Sequence, residues 1–145
     1  MNPEPGGLTL RFEVDGDDFT SAGQASVQVK KSLRQLGISP DIIRKVSIAM
    51  YEGEINMVIH ASGGVIDVYI DPDSIEIIMA ETGPGIADIE KAWQEGYTTA
   101  SQTVRDLGFG AGMGLPNMKR YSDFIDIETE LGKGTTVKMI IKTRS

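Results

Sequence analysis

Residues 65–80 read VIDVYIDPDSIEIIMA, and this stretch decides the class of fold. Two apolar runs, residues 65–70 and 74–80, flank the turn-forming sequence Asp71-Pro72-Asp73. A connection this short predicts an antiparallel pair of strands, because parallel strands need a crossover of about a dozen residues or more. The stretch therefore favours an antiparallel sheet over a doubly wound parallel one.

The chain before this hairpin predicts one strand and two helices. Residues 8–14 alternate apolar and polar side chains, which is typical of a half-buried strand. Apolar residues then recur at helical spacing up to a capping glycine, Gly37: they are Ala22, Ala25, Val29, Leu33 and Leu36. Ser39-Pro40-Asp41 predicts the start of a second helix that runs to about Ala61.

The chain after the hairpin predicts two short helices and two strands. The helices cover residues 88–96 and 114–121, and the strands cover residues 124–130 and 135–142. Between the helices, residues 97–113 have no convincing period, and a loop this long is usually functional or mobile. We expect a single α+β domain over residues 1–145.

The composition excludes several classes of protein. The chain has 145 residues, 40% of them hydrophobic and 24% charged, which suits one globular domain. It contains no cysteine, so disulfides and cysteine-based metal sites are excluded. A net charge of −7 argues against binding nucleic acid through a general basic surface. No basic, apolar leader opens the chain and no apolar run approaches the ~18 residues of a membrane span, so we expect a cytoplasmic protein without membrane contact.

The second helix carries polar residues that could perform chemistry. Glu52, Asn56 and His60 lie four residues apart and share one face. A carboxylate can take a proton from a hydroxyl, and an amide oxygen can ligate Mg²⁺. A solvated helix face is the alternative interpretation. The core-facing line is separate and is predicted to contain Ile48, Ile55 and Ile59, with Val46, Met50 and Met57 beside it.

Six of the 17 glycines fall in two short loops, at positions 83, 85, 108, 110, 112 and 114. Glu81 ends a predicted strand before the first loop, where its carboxylate could accept a hydrogen bond from an amine such as that of adenine. In the second loop, four alternating glycines before a helix form a strap of backbone N–H groups suited to phosphate. A structural turn and a flexible linker are the alternatives for the two loops.

Four segments in this order and spacing resemble the sequence boxes of GHKL (Bergerat-fold) ATPases. They are Glu52-x-x-x-Asn56, Glu81-x-Gly83-x-Gly85-Ile86, Gly110-x-Gly112-x-Gly114-Leu115 and Gly134-Thr135-Thr136. Residues 114–120, GLPNMKR, look like the small bacterial anti-sigma factor serine/threonine kinases and the stressosome switch kinases. The resemblance spans residues 8–142. It implies a two-layer α+β sandwich, with a mixed, mostly antiparallel sheet, helices on one face and an ATP lid over residues 97–113.

The resemblance also implies roles for particular residues. Glu52 matches the general base or the residue that orients the attacking hydroxyl, and Asn56 matches the Mg²⁺ ligand. Glu81 stands where the family has an aspartate that reads the adenine amine, and Thr135 matches a threonine beside the purine. Arg105 could reach the γ-phosphate, with a solvated lid charge as the alternative. The other expected ATP or ADP contacts are Gly83, Gly85, Ile86, Gly108, Gly110, Gly112, Met113, Gly114 and Leu115.

Two positions depart from the family pattern. Glu81 is one methylene longer than aspartate, so its contact with adenine must shift or weaken. Tyr51-Glu52-Gly53 stands where anti-sigma members usually have Ser-Glu-Ala. Glycine inside a helix costs about 1 kcal/mol relative to alanine, which suggests either a close neighbour at Gly53 or a less constrained site.

The resemblance implies a Mg-ATP-dependent serine/threonine protein kinase that acts on a STAS-domain antagonist protein. A sigma factor or a phosphatase is a further possible partner, and the chain would be a monomer or a homodimer. One alternative is a nucleotide-gated binding module with little or no phosphotransfer. Another is a detached histidine-kinase ATPase domain, which is less favoured because the chain has no dimerisation hairpin and its single histidine, His60, lies in the first box.

Overall fold

The computed structural model describes residues 7–15, 23–60, 63–82, 114–130 and 134–143. The predicted helix over residues 88–96 and the loop over residues 97–113 lie outside these ranges. The described elements, in chain order, are β1 (Leu8–Asp15), α1 (Gln24–Gln35), α2 (Pro40–His60), β2 (Gly63–Ile70), β3 (Ser74–Thr82), α3 (Gly114–Tyr121), β4 (Phe124–Glu130) and β5 (Gly134–Lys142). Each of them was predicted from the sequence to within two residues at either end.

The five described strands form one sheet in the order β1-β2-β3-β5-β4. Every pair of neighbours among them is antiparallel, so the parallel pairs of a mixed sheet do not occur in the described part. Asp71 fixes the turn between β2 and β3, because its Oδ1 accepts hydrogen bonds from the backbone N–H groups of Asp73 at 2.7 Å and Ser74 at 2.8 Å. The hairpin predicted from residues 65–80 is confirmed.

The helices α1, α2 and α3 pack on one face of the sheet, and α2 lies between the other two. Side chains alternate along the strands, so that one face of each inner strand is buried and the other is partly exposed. The largest fully buried side chains belong to α1, α2, α3 and the three inner strands: Val29, Leu33, Val46, Met50, Met57, Ile66, Ile75, Ile77, Met79, Met118, Met139 and Ile141. This two-layer arrangement is the predicted α+β sandwich.

The sheet face opposite the helices carries charged side chains beside apolar ones such as Phe124, which is 50% exposed. Arg11 pairs with Asp67 across β1 and β2, with 3.5 Å between the charged atoms. On β4, the side chains of Asp126 and Glu128 are exposed to solvent. Substitutions at these two positions therefore leave the helical layer and the core untouched.

The two ends of α1 are fixed in different ways. At the C-terminus, Gly37 has a φ of 75° and donates a hydrogen bond to the carbonyl of Arg34, while Ile38 donates to the carbonyl of Leu33. These two bonds define a Schellman cap, so the predicted role of Gly37 is confirmed. At the N-terminus, Gly23 supplies no side-chain cap of its own, and the cap comes from α2 instead.

The core-facing line of α2 differs from the predicted one at Ile48, whereas Ile55 is buried as predicted. Val46, Met50 and Met57 are buried in the core, whereas Ile48 is half-buried and lines a surface groove between α1 and α2. The prediction for Ile48 was wrong because apolar spacing does not show which of two adjacent stripes faces the sheet. Gly53 lies on the stripe of α2 that faces the sheet.

Gly53 allows a close approach of α2 to its neighbours. A Cβ placed on Gly53 would overlap the Sδ atom of Met79 on β3, and it would lie 3.3 Å from the Sδ atom of Met118 on α3. Both methionines are almost fully buried, so neither sulfur has open space into which to move. Of the two explanations offered by the sequence for this glycine, the structure supports the close neighbour.

We expect Gly53→Ala to destabilise the protein. Overpacking a core costs about 1–3 kcal/mol, which outweighs the gain of about 1 kcal/mol from replacing a helical glycine. Urea unfolding followed by circular dichroism measures the difference. The same substitution in a Met79→Ala background is the matched control and should cost less, because the overlapping sulfur is gone; an equal or larger cost there contradicts the packing explanation.

Candidate functional site

Glu52 lies on the side of α2 that meets α3. Its Oε1 accepts a hydrogen bond from the Nδ2 of Asn117, at 3.2 Å, although the two residues are 65 positions apart in the chain. Burial raises the pKa of Glu52 above its ordinary value, and the hydrogen bond from Asn117 acts in the opposite direction. A half-buried carboxylate with a raised pKa is suited to accept a proton near neutral pH.

Glu52 also borders the groove between α1 and α2. The groove has a volume of about 440 Å³, and its lining includes Val27 and Lys30 of α1 together with Ile48 and Tyr51 of α2. Val27 and Tyr51 are 57% and 40% exposed, which is high for an apolar and an aromatic side chain. A group bound in the groove would have access to the Glu52 carboxylate.

Asn56 lies one helical turn beyond Glu52 and is also half-buried. In the described parts of the chain, no three histidine or acidic side chains cluster as they would in a metal site built by protein alone. Mg²⁺ is usually held by one or two protein oxygens together with substrate phosphates, so a single amide oxygen at Asn56 fits that mode of binding. The side chain of His60 is outside the described part of the structure.

Glu81 and Thr135 are brought together by the sheet. They occupy opposite positions on β3 and β5, and their side chains form a hydrogen bond. Thr135 is buried, and its hydroxyl oxygen lies 2.9 Å from that of Thr129 on β4. Burial raises the pKa of Glu81 to about 7, with the hydrogen bond from Thr135 as a smaller opposing effect. Two residues that were predicted separately thus form one polar cluster.

The predicted glycine contacts fall mostly outside the described residues. Gly114 and Leu115 form the first two residues of α3, as expected for a glycine run that precedes a helix. The remaining predicted contacts lie in residues 83–113, outside the description: Gly83, Gly85, Ile86, Arg105, Gly108, Gly110, Gly112 and Met113.

Glu54 has a structural role that was not predicted from the sequence. It is 2% exposed, and its carboxylate accepts four hydrogen bonds from the start of α1. The donors are the backbone N–H groups of Gly23 at 2.9 Å, Ala25 at 3.2 Å and Ser26 at 3.0 Å, and the hydroxyl of Ser26 at 2.8 Å. A carboxylate at a helix N-terminus is also stabilised by the helix dipole. Glu54 therefore holds α1 against α2.

Gly23 is the residue that lets α1 begin at this carboxylate. Its φ is 95°, a left-handed conformation that favours glycine, and a Cβ there would lie 3.1 Å from the ring of Tyr51. One sequence signal could have identified the role of Glu54: it is an acidic residue on the face of α2 that packs against α1. Asn117 carried no signal of this kind, because nothing in the sequence pairs α3 with Glu52.

A model of the histidine kinase-like ATPase domain family matches residues 17–141, and the chain belongs to this family. The resemblance to GHKL ATPases is thereby confirmed. Membership of an ATPase family implies that the ligand is ATP or ADP.

Two relatives of this chain are named as an anti-sigma factor and as a serine/threonine-protein kinase. An anti-sigma F factor of Thermoanaerobacter sp. (strain X514) is 34% identical over 110 residues, which cover 72% of this chain and 73% of the relative. The serine/threonine-protein kinase RsbT of Bacillus subtilis (strain 168) is 29% identical over 127 residues, covering 85% and 87%. The solved structure of the mycobacterial sensor histidine kinase MprB is similar in fold, with a TM-score of 0.52, 15% identity and coverage of 93% and 97%.

The described helices include none that is long and apolar enough to cross a membrane. The longest, α2, has 21 residues and carries charged side chains at Asp41, Arg44, Lys45, Glu52 and Glu54.

We expect Glu54→Ala to destabilise the protein by about 2–4 kcal/mol, because it leaves several buried donors at the start of α1 without an acceptor. Glu54→Gln keeps the volume and one acceptor oxygen, so it should cost less. Urea unfolding measures both changes. Glu128→Ala, at an exposed position on the opposite face, is the control and should stay within about 0.5 kcal/mol of the unaltered chain. An equally small change for Glu54→Ala contradicts the capping role.

Proposed function

We propose that this protein is a Mg-ATP-dependent serine/threonine kinase that phosphorylates a STAS-domain antagonist protein in bacterial signal transduction. The observation that carries the proposal is the Glu52 carboxylate, half-buried, held by Asn117 and open to a groove, with Asn56 one turn further along α2. The relatives named anti-sigma F factor and serine/threonine-protein kinase support this class of activity and partner.

The chemistry assigned to Glu52 is proton acceptance. The substrate serine or threonine oxygen forms a bond to the γ-phosphorus of ATP as the bond between that phosphorus and the β,γ-bridging oxygen breaks, and ADP leaves. Glu52 accepts the hydroxyl proton as this happens. Because phosphoryl transfer depends mainly on positioning, the carboxylate contributes most by holding the hydroxyl in line with the phosphorus.

Asn56 is the residue that would hold Mg²⁺, through its amide oxygen. When bound, the ion neutralises charge on the phosphates. The backbone N–H groups of the glycine run from Gly108 to Gly114 would contribute hydrogen bonds to the same phosphates, next to the start of α3. Neither contribution requires a basic surface, so the net charge of −7 does not oppose binding of a triphosphate.

Glu81 and Thr135 would recognise the adenine base. The exocyclic amine of adenine is a donor, so it requires an acceptor, which the ionised carboxylate of Glu81 supplies. Thr135 supports this carboxylate from the neighbouring strand. Gly83 and Gly85 would lie beneath the base, as the resemblance implies, and Ile86 would be a further nucleotide contact.

A nucleotide-gated binding module is the second candidate function, and Glu81 is the observation that favours it. Its carboxyl has a pKa of about 7, so a large fraction is protonated at neutral pH, and the neutral carboxyl accepts from the amine more weakly than the carboxylate does. Weakened adenine contact would reduce turnover while leaving a nucleotide-dependent change in partner affinity. In this candidate, ATP or ADP changes partner binding without phosphorylating the partner.

Phosphotransfer tests the kinase proposal. The purified protein is incubated with γ-labelled ATP, Mg²⁺ and each STAS-domain protein of the same organism, and phosphoserine or phosphothreonine is identified by mass spectrometry. We expect transfer to one of them, and we expect Glu52→Gln to lower its rate by about 10²–10⁴-fold, the usual contribution of a general base.

The matched control for Glu52→Gln is Asp126→Asn, another acid-to-amide change, which lies at an exposed position on the sheet face opposite the helices. It should leave the rate unchanged. Undiminished transfer by Glu52→Gln contradicts the role of Glu52. Tight nucleotide binding by calorimetry, partner release and no labelled product would instead favour the binding module.

Nucleotide affinity should depend on pH through Glu81. The ionised carboxylate binds the amine, so affinity rises with pH through a value of about 7 and levels off above it. The fraction of ionised Glu81 predicts a loss of up to about tenfold in ADP affinity between pH 8 and pH 6, because the neutral carboxyl is the weaker acceptor. Calorimetry over this range measures it. Glu81→Gln should bind more weakly with no such slope, and Glu128→Gln should keep the slope; a flat profile in the unaltered chain would refute the assignment.

A further inference from the structure

The geometry points to Asn117 as the positioning residue for the proposed general base, Glu52. We infer that its side-chain amide fixes the orientation of the Glu52 carboxylate and keeps it in the ionised form that can accept a proton. The inference rests on the proposed function for its catalytic meaning. The contact itself is a property of the fold and can be tested without phosphotransfer.

The hydrogen bond leaves one carboxylate oxygen for chemistry. Asn117 donates from Nδ2 to the Oε1 of Glu52 at 3.2 Å, and both side chains are half-buried. With Oε1 engaged, Oε2 is the oxygen left to accept the substrate proton. Rotation of the carboxylate out of its present plane, about the Cγ–Cδ bond, would break the hydrogen bond. The hydrogen bond therefore selects one orientation of the carboxylate plane.

The packing around this pair fixes its register. Asn117 precedes Met118, which is 1% exposed, just as Glu52 precedes Gly53. Met118 packs against Gly53, so two neighbouring contacts join α3 to α2, one between residues 117 and 52 and one between residues 118 and 53. The space left by the missing Cβ of Gly53 therefore brings the amide within reach of the carboxylate. A side chain at position 53 would overlap Met79 on β3 and press on Met118, the neighbour of Asn117.

The hydrogen bond from Asn117 opposes the effect of burial on the pKa of Glu52. Burial raises the pKa of Glu52, and donation from an amide N–H stabilises the charged form and lowers it. Among the described residues, the other titratable groups that line the same groove as Glu52 are Lys30 of α1 and Tyr51 of α2. Glu54 is directed to the start of α1, and Lys119 and Arg120 of α3 are exposed. Asn117 is the donor that contacts the carboxylate directly.

The decisive experiment is a carbon-13 NMR titration of the Glu52 side-chain carboxyl in the nucleotide-free protein, with Glu52→Gln used to assign the resonance. We expect Asn117→Ala to raise the midpoint by about one pH unit, since one hydrogen bond to the charged form is lost. Asn117→Asp has the same shape and adds a like charge, so it should raise the midpoint further. This second variant keeps the test valid if the alanine variant unfolds.

Ser122→Ala, one residue beyond the end of α3, is the matched control. The Ser122 hydroxyl donates to the carbonyl of Met118 at 2.6 Å, so its loss perturbs the end of α3 without touching Glu52. The titration of Glu52 should be unchanged in this variant. A similar shift in Ser122→Ala would mean that any disturbance of α3 moves the titration, and it would overturn the specific role of Asn117.

Kinetics then connect the contact to catalysis. With the STAS-domain substrate found by phosphotransfer, Asn117→Ala should lower kcat about tenfold at a pH below the Glu52 midpoint and by less above it, because the carboxylate is then ionised in both proteins. In a Glu52→Gln background the same substitution should have no further effect on kcat. An equal loss of kcat in that background overturns the positioning role, and a loss that does not depend on pH overturns the effect of Asn117 on the ionisation of Glu52.

The titration separates failure of this inference from failure of the proposed function. An unchanged Glu52 midpoint in both Asn117 variants overturns the inference even when the protein is an active kinase. A shifted midpoint in a protein that transfers no phosphate supports the Asn117–Glu52 contact and overturns the kinase activity.

Discussion

The close contact of α2 with the sheet at Gly53 is the constraint on which the site depends. An α-helix turns by about 100° per residue, so Glu52, Gly53 and Glu54 point in three directions. Gly53 faces the sheet at Met79, and the two glutamates flank it, Glu52 toward α3 and Glu54 toward the start of α1. The position of α2 over the sheet thus sets the contacts that both outer helices make with it.

The two glutamates have different tasks because their surroundings differ. Glu54 is almost completely buried, and four donors from α1 surround its carboxylate, so it acts as a fixed structural acceptor. Glu52 is half-exposed, receives one donor from Asn117 and borders a groove, so one oxygen remains available. Two glutamates that lie two positions apart in the chain thus have separate roles. Glu54 stabilises the fold, and Glu52 is the residue proposed to take part in the chemistry.

Much of the fold was predictable because it depends on local signals. The hairpin over residues 65–80 follows from strand periodicity and turn composition, and the end of α1 follows from Gly37. The positions of some proposed site residues also follow from local signals: spacing alone places Glu52 and Asn56 on one helix face, and sequence boxes single out Glu81 and Thr135. Their roles in a site stay predictions. The cross-strand pairing of Glu81 with Thr135, the burial that raises the pKa of Glu81 and the groove position of Ile48 depend on contacts distant in sequence.

The sequence by itself determined the order of the elements, the antiparallel hairpin, the family resemblance and the identity of the polar residues on α2. Periodicity and turn chemistry act over a few residues, and the sequence boxes are short segments, so each can be recognised without knowing the fold. Only the tertiary structure decided why residue 53 is glycine, which acceptor caps α1 and which donor holds Glu52. Each of those depends on the distance between elements that are 26 to 65 residues apart in the chain, and packing of the whole core sets that distance.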